Sequence, residues 1–448
     1  MDGVDGGVLA KMPLAEAVLT LWRFVASEER LEALFARHRG RSYERAISFA
    51  TMVQLVADAL LEHGGSGAQS FARAEESGSL EATSRAAYGK LGRLPIPLSV
   101  AFLNELSAAT RALYPEEALR PDEACFEGFR IVLLDGKAIK RVAKRLKPLR
   151  SARGGVLGGK ALVAIERATG LVTATAADPD GEANDARLVP ELTPQVRARL
   201  PGPRLWVADR AYCDPLQISR FAEEGDSFAL RYNAKVKFTR DETHAVVESR
   251  AADGRPLLDE RGWLGREGNP HRRYVRRVTL RREERDDVAV VTDVMDAPAE
   301  ALLELYRERW GIEVVFQQVT EVFGLERLIG GRPEANIFQF AFCLLLYNQM
   351  QIVRAYVLKH QRLEEDCVSL AQIFVDVRRE LIAWAVVVGV ADLPTRSAAE
   401  TRRRLDELLG LLWTDRWVKS IRGPSLPRGR PRRLGHTSAH RALLAAKP

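Results

Sequence analysis

The sequence predicts an α/β protein in which a five-stranded sheet lies between helical N- and C-terminal regions. Two short apolar runs each end in an aspartate, at Asp135 and at Asp209, which is typical of buried strands that emerge at the edge of a sheet. Helical apolar spacing precedes these runs and returns after Pro298. At 448 residues the chain is too long for one core, so several domains are expected.

The first 115 residues predict a series of short helices. Helical spacing covers 14–25, 30–37 and 47–62, and a Gly-Gly-Ser-Gly break precedes two further helices at 68–76 and 80–91. A helix pair joined by a glycine-containing turn is compatible with helix-turn-helix DNA binding, and equally with an ordinary helical bundle. The last of these helices offers to the outside Thr83, Ser84, Arg85, Tyr88, Lys90 and Arg93.

The middle of the chain predicts the sheet and then a β-rich insertion. The five strands are expected at 130–135, 154–165, 171–177, 205–209 and 228–232, with a helix over 184–200. Within the insertion, 237–293, strand patterns occupy 244–248, 273–281 and 288–292. We divide the chain into a helical segment 1–115, a core 116–236 and 294–360, the insertion 237–293, and a C-terminal region 361–448. That last region combines helices over 369–389 and 398–412 with a basic tail from Gly423.

Charge is strongly segregated along the chain. The net charge is +7, yet the segment 136–153 carries eight Lys and Arg residues without an acid, and the segment after Asp415 carries nine. Clustered basic charge favours a polyanionic partner, although two solvated loops would give the same pattern.

The four cysteines lack paired spacing, which argues against structural zinc and disulfides and fits a reducing cytoplasm. No apolar run is long enough to predict a membrane span, and no signal peptide is evident.

A polar stripe marks the helix that we expect to run from Pro298 to Gly324. Residues three or four apart share a helical face, so this spacing aligns Tyr306, Arg309, Glu313, Gln317 and Thr320. Trp310, Val314, Val315, Val319 and Val322 fall on other faces and are expected to pack inward. The alternative interpretation is a surface ion pair on an amphipathic helix.

Asp135, Asp209 and Glu313 together suit a two-metal phosphoryl-transfer site. Mg²⁺ prefers oxygen ligands, and two ions about 4 Å apart can hold the attacking and leaving oxygens. Carboxylates on strand ends and on a helix are rigidly placed, which such chemistry requires. Each residue alone is also explained by a helix cap or an ion pair.

Three motifs carry a resemblance to a known family. They read Leu-Leu-Asp135-Gly136, Ala-Asp209-Arg210-Ala-Tyr212, and Tyr306-x2-Arg309-x3-Glu313. The sequence resembles bacterial DDE transposases of the insertion-sequence-four family over roughly residues 120–350. The resemblance implies a ribonuclease-H-like catalytic core, a mixed sheet flanked by helices, interrupted by a β-rich insertion. It also implies cleavage of transposon ends and transfer of the freed 3′-hydroxyl into target DNA.

The resemblance further implies a role for each site residue. Asp135, Asp209 and Glu313 would ligate Mg²⁺, with Mn²⁺ as a substitute, while Tyr306 and Arg309, and less strongly Arg210, would hold phosphates. The partners implied are double-stranded DNA, as terminal inverted repeats and target, and a second copy of the chain on paired ends, in a bacterial nucleoid. One position departs from the family signature, because Thr320 stands where the family has lysine. An arginine of 272–282 is one candidate substitute.

Two basic segments and one tryptophan are further candidates for DNA contact. The run that begins with Lys137, Lys140 and Arg141 follows Asp135 directly, so it is expected to flank the site. The tail around Arg428, Arg430 and Arg432 resembles an AT-hook, in which Arg-Gly-Arg lies in a narrow minor groove; a loosely bound tail is the alternative. Trp263, in the insertion, is a candidate for stacking on a flipped base, or else covers a small β core.

Two other functions remain open at this stage. A transposase-derived DNA-binding protein that no longer cuts is compatible with Thr320. A structure-selective nuclease that never joins ends would use the same three carboxylates. Metal-dependent nicking distinguishes a transposase from the DNA-binding protein, which does not cut. Joined products distinguish a transposase from the nuclease, which cuts but does not join.

Overall fold

A computed structural model describes residues 12–140, 157–283, 286–361, 367–387, 393–410 and 412–418. Predictions on Arg141, Arg428, Arg430 and Arg432 therefore lie outside the described residues, as does the side chain of Lys140. Among the helices in these ranges, none combines the length and the apolar character that crossing a membrane requires.

From residue 12 onwards, six helices form the N-terminal region: five lie close to the predicted positions, and the sixth, Ile96–Arg111, was not predicted. Several begin at a serine or threonine whose hydroxyl accepts a hydrogen bond from the first turn, as Ser48 does from Thr51 N at 2.9 Å. Gly65, with φ of 87°, lies in the predicted break before the fourth helix. The helices are α1 Pro13–Val25, α2 Glu28–His38, α3 Phe49–Leu61, α4 Gly67–Glu76, α5 Ser84–Leu91 and α6 Ile96–Arg111.

Five strands then build the predicted mixed sheet. They run in the order β3-β2-β1-β4-β5, in which β1 pairs antiparallel with β2 and parallel with β4, β2 pairs antiparallel with β3, and β4 pairs parallel with β5. The fold class is therefore confirmed, since this mixed sheet is flanked by helices and extended by β structure. The strands are β1 Arg130–Lys140, β2 Leu157–Glu166, β3 Val172–Asp178, β4 Arg204–Ala208 and β5 Ser227–Arg231, with helices α7 Val189–Arg197 and α8 Pro215–Phe221 between them.

The β-rich insertion continues the same sheet. The last insertion strand, β10, pairs antiparallel with β5, and β9, β8 and β6 follow outward in that order. β7 pairs with β8, so the described strands form one ten-stranded sheet. The sequence analysis missed β6 and β8 and placed β7 about three residues too early, because β6 is only three residues long and the other two segments do not alternate regularly. The insertion strands are β6 Phe238–Arg240, β7 Val247–Arg250, β8 Pro256–Leu264, β9 Arg273–Leu280 and β10 Val288–Thr292.

The two faces of the sheet pack against different groups of helices. On one face, alternate residues of β1 such as Leu133 join a large apolar core that contains the N-terminal and C-terminal helices. On the other face, Leu134 joins a smaller core closed by α7 and α8. The helices that follow the insertion are α9 Ala299–Glu308, α10 Trp310–Glu321, α11 Pro333–Gln361, α12 Leu370–Val387 and α13 Ala398–Leu409.

Buried asparagines pair with the edge strand β3. Asn104, on α6, accepts from Thr175 N at 2.7 Å and donates to Thr175 O at 3.1 Å. Asn348, on α11, makes the same pair of bonds with Val172, both at 2.8 Å. Because an edge strand exposes unpaired backbone groups, these amides close it as a further strand would. The N-terminal helices therefore pack directly on the core, and the division into four segments stays a prediction.

Candidate active site

Asp135 and Asp209 lie side by side at one edge of the sheet. The parallel register pairs Leu134 of β1 with Ala208 of β4, so the next residue of each strand meets its neighbour across the pair. Adjacent strands lie about 4.8 Å apart, which sets the spacing of the two backbones here. Both aspartates are partly buried, and Gly136 N donates to Asp135 Oδ1 at 2.8 Å. The two predicted aspartates are thus brought together, but β1 continues to Lys140, so Asp135 lies within its strand and not at its end as predicted.

The helix that carries Glu313 is tightened at Arg309, where the backbone keeps helical angles, so the predicted helix continues as two consecutive segments. α9 ends at Glu308, α10 begins at Trp310, and Arg309 lies between them with φ of −51° and ψ of −30°. Glu308 is held by a bidentate ion pair, since Arg167 Nε lies 2.6 Å from Oε2 and its Nη2 lies 3.0 Å from Oε1. The ion pair anchors the chain immediately before Arg309. Sequence reasoning missed it because its partners are 141 residues apart.

Arg309 bridges two of the three predicted catalytic carboxylates. Its Nη1 donates to Asp135 Oδ2 at 2.8 Å, and its Nη2 donates to Glu313 Oε1 at 3.4 Å. The Arg309 side chain is 8% exposed, whereas that of Glu313 is 40% exposed. A buried guanidinium with charge-assisted bonds therefore links β1 to α10.

Tyr306 completes the cluster from the last turn of α9. Its hydroxyl donates to Asp209 Oδ1 at 3.2 Å, and its ring lies 5.6 Å from the Arg309 guanidinium carbon. Burial raises the pKa of Tyr306, and the nearby charge of Arg231, the last residue of β5, partly opposes that rise. Arg231 did not enter the sequence-based site. The fifth predicted strand, 228–232, includes Arg231 but ends one residue later, so its last residue did not point to the arginine.

The electrostatics of the cluster show an excess of negative charge. Burial raises the pKa of Asp135 to about 6, Arg309 opposes that rise, and Glu313 and Asp209 add to it. Burial also raises the pKa of Tyr212 well above its usual value, and Asp185, Asp135 and Asp209 raise it further. The three predicted carboxylates therefore lie within one another's electrostatic reach.

A divalent ion fits the donor chemistry of this cluster. Three carboxylates on two neighbouring strands and a helix are the oxygen ligands that such ions take. Across the residues that the structure describes, however, no three His, Cys, Asp or Glu side chains converge closely enough to hold an ion. Arg309 lies between Asp135 and Glu313, so a shared ion and this guanidinium compete for the same oxygens.

The remaining faces of α10 differ from the sequence expectation. Trp310 and Val314 are 62% and 44% exposed, so the prediction that they pack inward is wrong. The buried face is instead formed by Ile312, Val315, Phe316 and Val319, which leaves positions 310 and 314 on the opposite side.

The far end of the polar stripe does not reach the carboxylate cluster. Gln317 donates to Glu321 on the helix surface, at 3.0 Å. The Thr320 hydroxyl donates to the carbonyl of Phe316 at 2.6 Å. Only Tyr306, Arg309 and Glu313 of the five predicted stripe residues therefore meet the aspartates.

The other predicted contact residues lie around the cluster or in the insertion. Arg210 is exposed, one residue after Asp209, and Lys137 lies half-buried two residues after Asp135. Trp263, on β8, is 40% exposed, its ring meets Tyr274 edge-on, and Arg272 lies 4.9 Å from its centroid.

The strand β9 arginines do not supply the cation that Thr320 lacks. Each contacts a neighbour within the insertion or beside it: Arg272 stacks on Trp263, Arg273 pairs with Asp293, Arg276 with Asp259, and Arg277 with Glu260. The hypothesis that one of them substitutes at position 320 receives no support from these contacts.

A mixed sheet of this order, with one aspartate in β1, a second directly after the parallel strand β4 and a glutamate on a later helix, is typical of the DDE class of nucleic-acid-processing domains. Residues 127–349 belong to the transposase DDE domain family. A domain of this family implies the use of divalent metal ions.

Two curated relatives are transposases. The chain is 26% identical over 141 residues to a probable transposase for insertion sequence element IS5377 of Geobacillus stearothermophilus, and 25% identical over 151 residues to the putative transposase y4zB of Sinorhizobium fredii. These matches cover 32% and 33% of this chain, and only 37% and 42% of the relatives' own lengths.

A likeness to one solved structure was also found. It is the cryo-EM structure of the piggyBac transposase synaptic complex with hairpin DNA, with a TM-score of 0.44 and 10% identity over 88% of this chain and 85% of that chain.

Proposed function

We propose that the protein is a DDE transposase that cleaves double-stranded DNA at transposon ends and transfers the freed 3′-hydroxyl into target DNA. The observation that carries the proposal is the meeting of Asp135, Asp209 and Glu313 around Arg309 and Tyr306. The insertion-sequence relatives support the same activity.

Asp135, Asp209 and Glu313 would hold Mg²⁺, or Mn²⁺ in its place. Bound ions of this kind lower the pKa of water and neutralise charge on a phosphate. Asp135 has to lose its proton to bind them, so the raised pKa of this carboxyl makes ion binding weaker below about pH 6. Glu313 is the most exposed of the three and lies on a helix, so it is placed to close on the two aspartates.

Arg309 and Tyr306 would hold a DNA phosphate beside the ions. Phosphate and carboxylate offer similar oxygen pairs to a guanidinium, so Arg309 can exchange the carboxylates for a phosphate without losing charge-assisted bonds. Arg231 and Arg210, which flank the same sheet edge, add positive charge. Ion binding and phosphate binding would therefore support each other, because each draws Arg309 away from Asp135 and Glu313.

Further DNA contacts are proposed for residues outside this cluster. The basic run with Lys140 and Arg141, and the tail with Arg428, Arg430 and Arg432, would track the DNA backbone or the minor groove. Trp263 would stack on an unpaired base, since its face is partly exposed and an arginine already lies against it. Two copies of the chain would pair the two transposon ends.

Metal-dependent nicking of DNA tests this proposal. The probe is duplex DNA taken from either side of the coding sequence, incubated with Mg²⁺ and protein. We expect nicking and joined products, with Asp135→Ala, Asp209→Ala and Glu313→Ala each lowering the nicking rate by at least about 10²-fold. Asp253→Ala is the control, because Asp253 lies on an exposed turn of the insertion and pairs with Arg255.

A catalytically impaired DNA-binding protein is the second candidate, and Thr320 is the observation that favours it. The Thr320 hydroxyl is turned to its own helix, so no positive charge extends from this turn of α10. If the protein binds the flanking DNA but the three alanine variants change no activity, the enzymatic proposal is wrong and this candidate replaces it. Nicking without any joined product would instead indicate a nuclease.

A further inference from the structure

Lys137 extends from β1 onto the helix that carries Glu313. Side chains two residues apart on a strand point to the same face, so Lys137 shares the face of Asp135. Its ammonium nitrogen lies 5.4 Å from the ring centroid of Phe316, which is three residues beyond Glu313 on α10. The aromatic face thus holds a positive charge on the far side of Glu313 from Arg309.

Arg309 and Phe316 bracket Glu313 along the helix axis. They are seven positions apart, and a rise of 1.5 Å per residue separates them by roughly 10 Å along the axis. Along the duplex axis one DNA strand carries a phosphate about every 3.4 Å, so two cations roughly 10 Å apart along that axis can contact phosphates on both sides of a central one. A strand lying along α10 with its scissile phosphate at Glu313 would therefore meet a cation on each side.

The cation on the Phe316 side comes from the strand because the helix provides none there. Thr320 lies one turn beyond Phe316 on the same face, and its hydroxyl donates to the Phe316 carbonyl. Position 320 is thus next to the place where the Lys137 ammonium already lies.

We propose that Lys137, held by Phe316, binds the DNA backbone phosphate that flanks the scissile phosphate on the side of the C-terminal half of α10. A lysine at position 320 would deliver its charge to this same place. The proposal rests on the proposed function, since it assumes that DNA lies along α10. The alternative is that the Lys137 side chain packs on the Phe316 ring and does not bind DNA.

The salt dependence of DNA binding tests the charge of Lys137 without any cleavage. Binding of the flanking duplex is measured over a range of salt concentrations, with Ca²⁺ replacing Mg²⁺. Lys137→Met keeps the apolar stem over Phe316 and removes the charge. We therefore expect the plot of log affinity against log salt to become less steep, by about 0.9. Lys137→Arg should retain the slope.

Moving the charge to position 320 separates phosphate binding from packing. We expect Thr320→Lys to restore the slope in the Lys137→Met background, because both side chains would reach the same phosphate. Lys359→Met is the matched control, since Lys359 also lies over a ring, that of Tyr356 at 6.0 Å, but pairs with Asp406. An unchanged slope in Lys137→Met, or a loss that Thr320→Lys does not restore, overturns the inference.

The test distinguishes failure of this inference from failure of the proposed function. If the triad variants abolish nicking while Lys137→Met leaves the slope unchanged, only the inference is wrong. If the triad variants change nothing while the slope falls and Thr320→Lys restores it, Lys137 binds DNA in a protein that does not cut. A wild-type protein that binds no flanking duplex contradicts both.

Discussion

Acidic side chains from neighbouring elements gather at both ends of strand β4, and their partners differ. At the N-terminal end, Asp226 accepts from Arg197 Nε at 3.0 Å, Arg204 N at 2.9 Å and Trp206 Nε1 at 3.0 Å, and Arg204 Nε lies 2.7 Å from its Oδ1. At the C-terminal end, Asp135, Asp209 and Glu313 share one arginine and one tyrosine.

The difference separates a structural acid from a functional one. One carboxylate with two arginines is fully satisfied, so its removal would leave two buried cations with only backbone carbonyls and the exposed Glu223 and Glu224 as partners. Three carboxylates around one guanidinium repel one another, and the raised pKa of Asp135 reports that repulsion together with burial. Such an excess of acid is what the proposed binding of divalent ions requires.

Replacing one aspartate at each end of β4 is the most severe test of this contrast. We expect Asp226→Asn to lower the free energy of unfolding by about 3–5 kcal/mol, because Arg197 and Arg204 lose their shared carboxylate in a buried site. We expect Asp209→Asn to stay within about 1 kcal/mol of the wild type, because it relieves repulsion. Urea unfolding of the two variants measures both values, and equal losses would contradict the contrast.

The sequence predicts the acidic end of β4 far better than the arginine-paired end. Asp135 and Asp209 are readable because an apolar run that stops at an acid is a local signal, and the parallel pairing of their strands brings them together. Asp226 is preceded by no such run, and its partners come from α7 and β4, 29 and 20 residues away. A buried charge whose hydrogen-bond partners are distant along the chain leaves no periodic pattern in the sequence.

Two further features of the site depend on packing that local patterns do not encode. Arg167 anchors Glu308 directly before the tightened turn at Arg309, and the exposure of Trp310 follows from which face of α10 meets the sheet. The insertion illustrates the same limit, because its strands were partly predicted but their pairing with β5 was not.

Removing Arg309 sharpens the comparison by leaving the acidic end without its cation. We expect Arg309→Gln to lower the free energy of unfolding in the absence of divalent ions by about 1–3 kcal/mol, because Asp135 and Glu313 lose their shared partner. Ca²⁺ or Mg²⁺ should then raise the thermal midpoint of the variant more than that of the wild type, since no guanidinium has to be displaced.

Arg307→Gln controls for the loss of a positive charge from the same helix. Arg307 is exposed on α9 and pairs with Glu304, away from the carboxylate cluster. Its ion-dependent shift should match that of the wild type. If Arg309→Gln shows the same shift as Arg307→Gln, Arg309 does not compete with ions for these oxygens.

Asp58 is a carboxyl outside the cluster whose pKa is raised mainly by burial, with a smaller contribution from Glu62, and it gives the smallest expected change. Burial raises its pKa to about 6, as for Asp135, but Asp58 lies on α3, where Gln54 donates to it at 2.7 Å. A raised pKa means that the ionised form is less favoured in the folded than in the unfolded state, so Asp58 destabilises the fold near neutral pH. This cost disappears as pH falls from about 6 towards the unfolded value of 3.8.

We therefore expect Asp58→Asn to raise the free energy of unfolding at pH 7 by on the order of 1–2 kcal/mol, and to change it little at pH 4. Divalent ions should not alter this difference, because Asp58 lies apart from the three carboxylates, whereas they should alter the effect of Asp135→Asn. Thermal unfolding across this pH range, with and without Ca²⁺, measures both. A metal-dependent effect at Asp58 would show that a raised pKa does not distinguish acids that await a cation from acids that are merely buried.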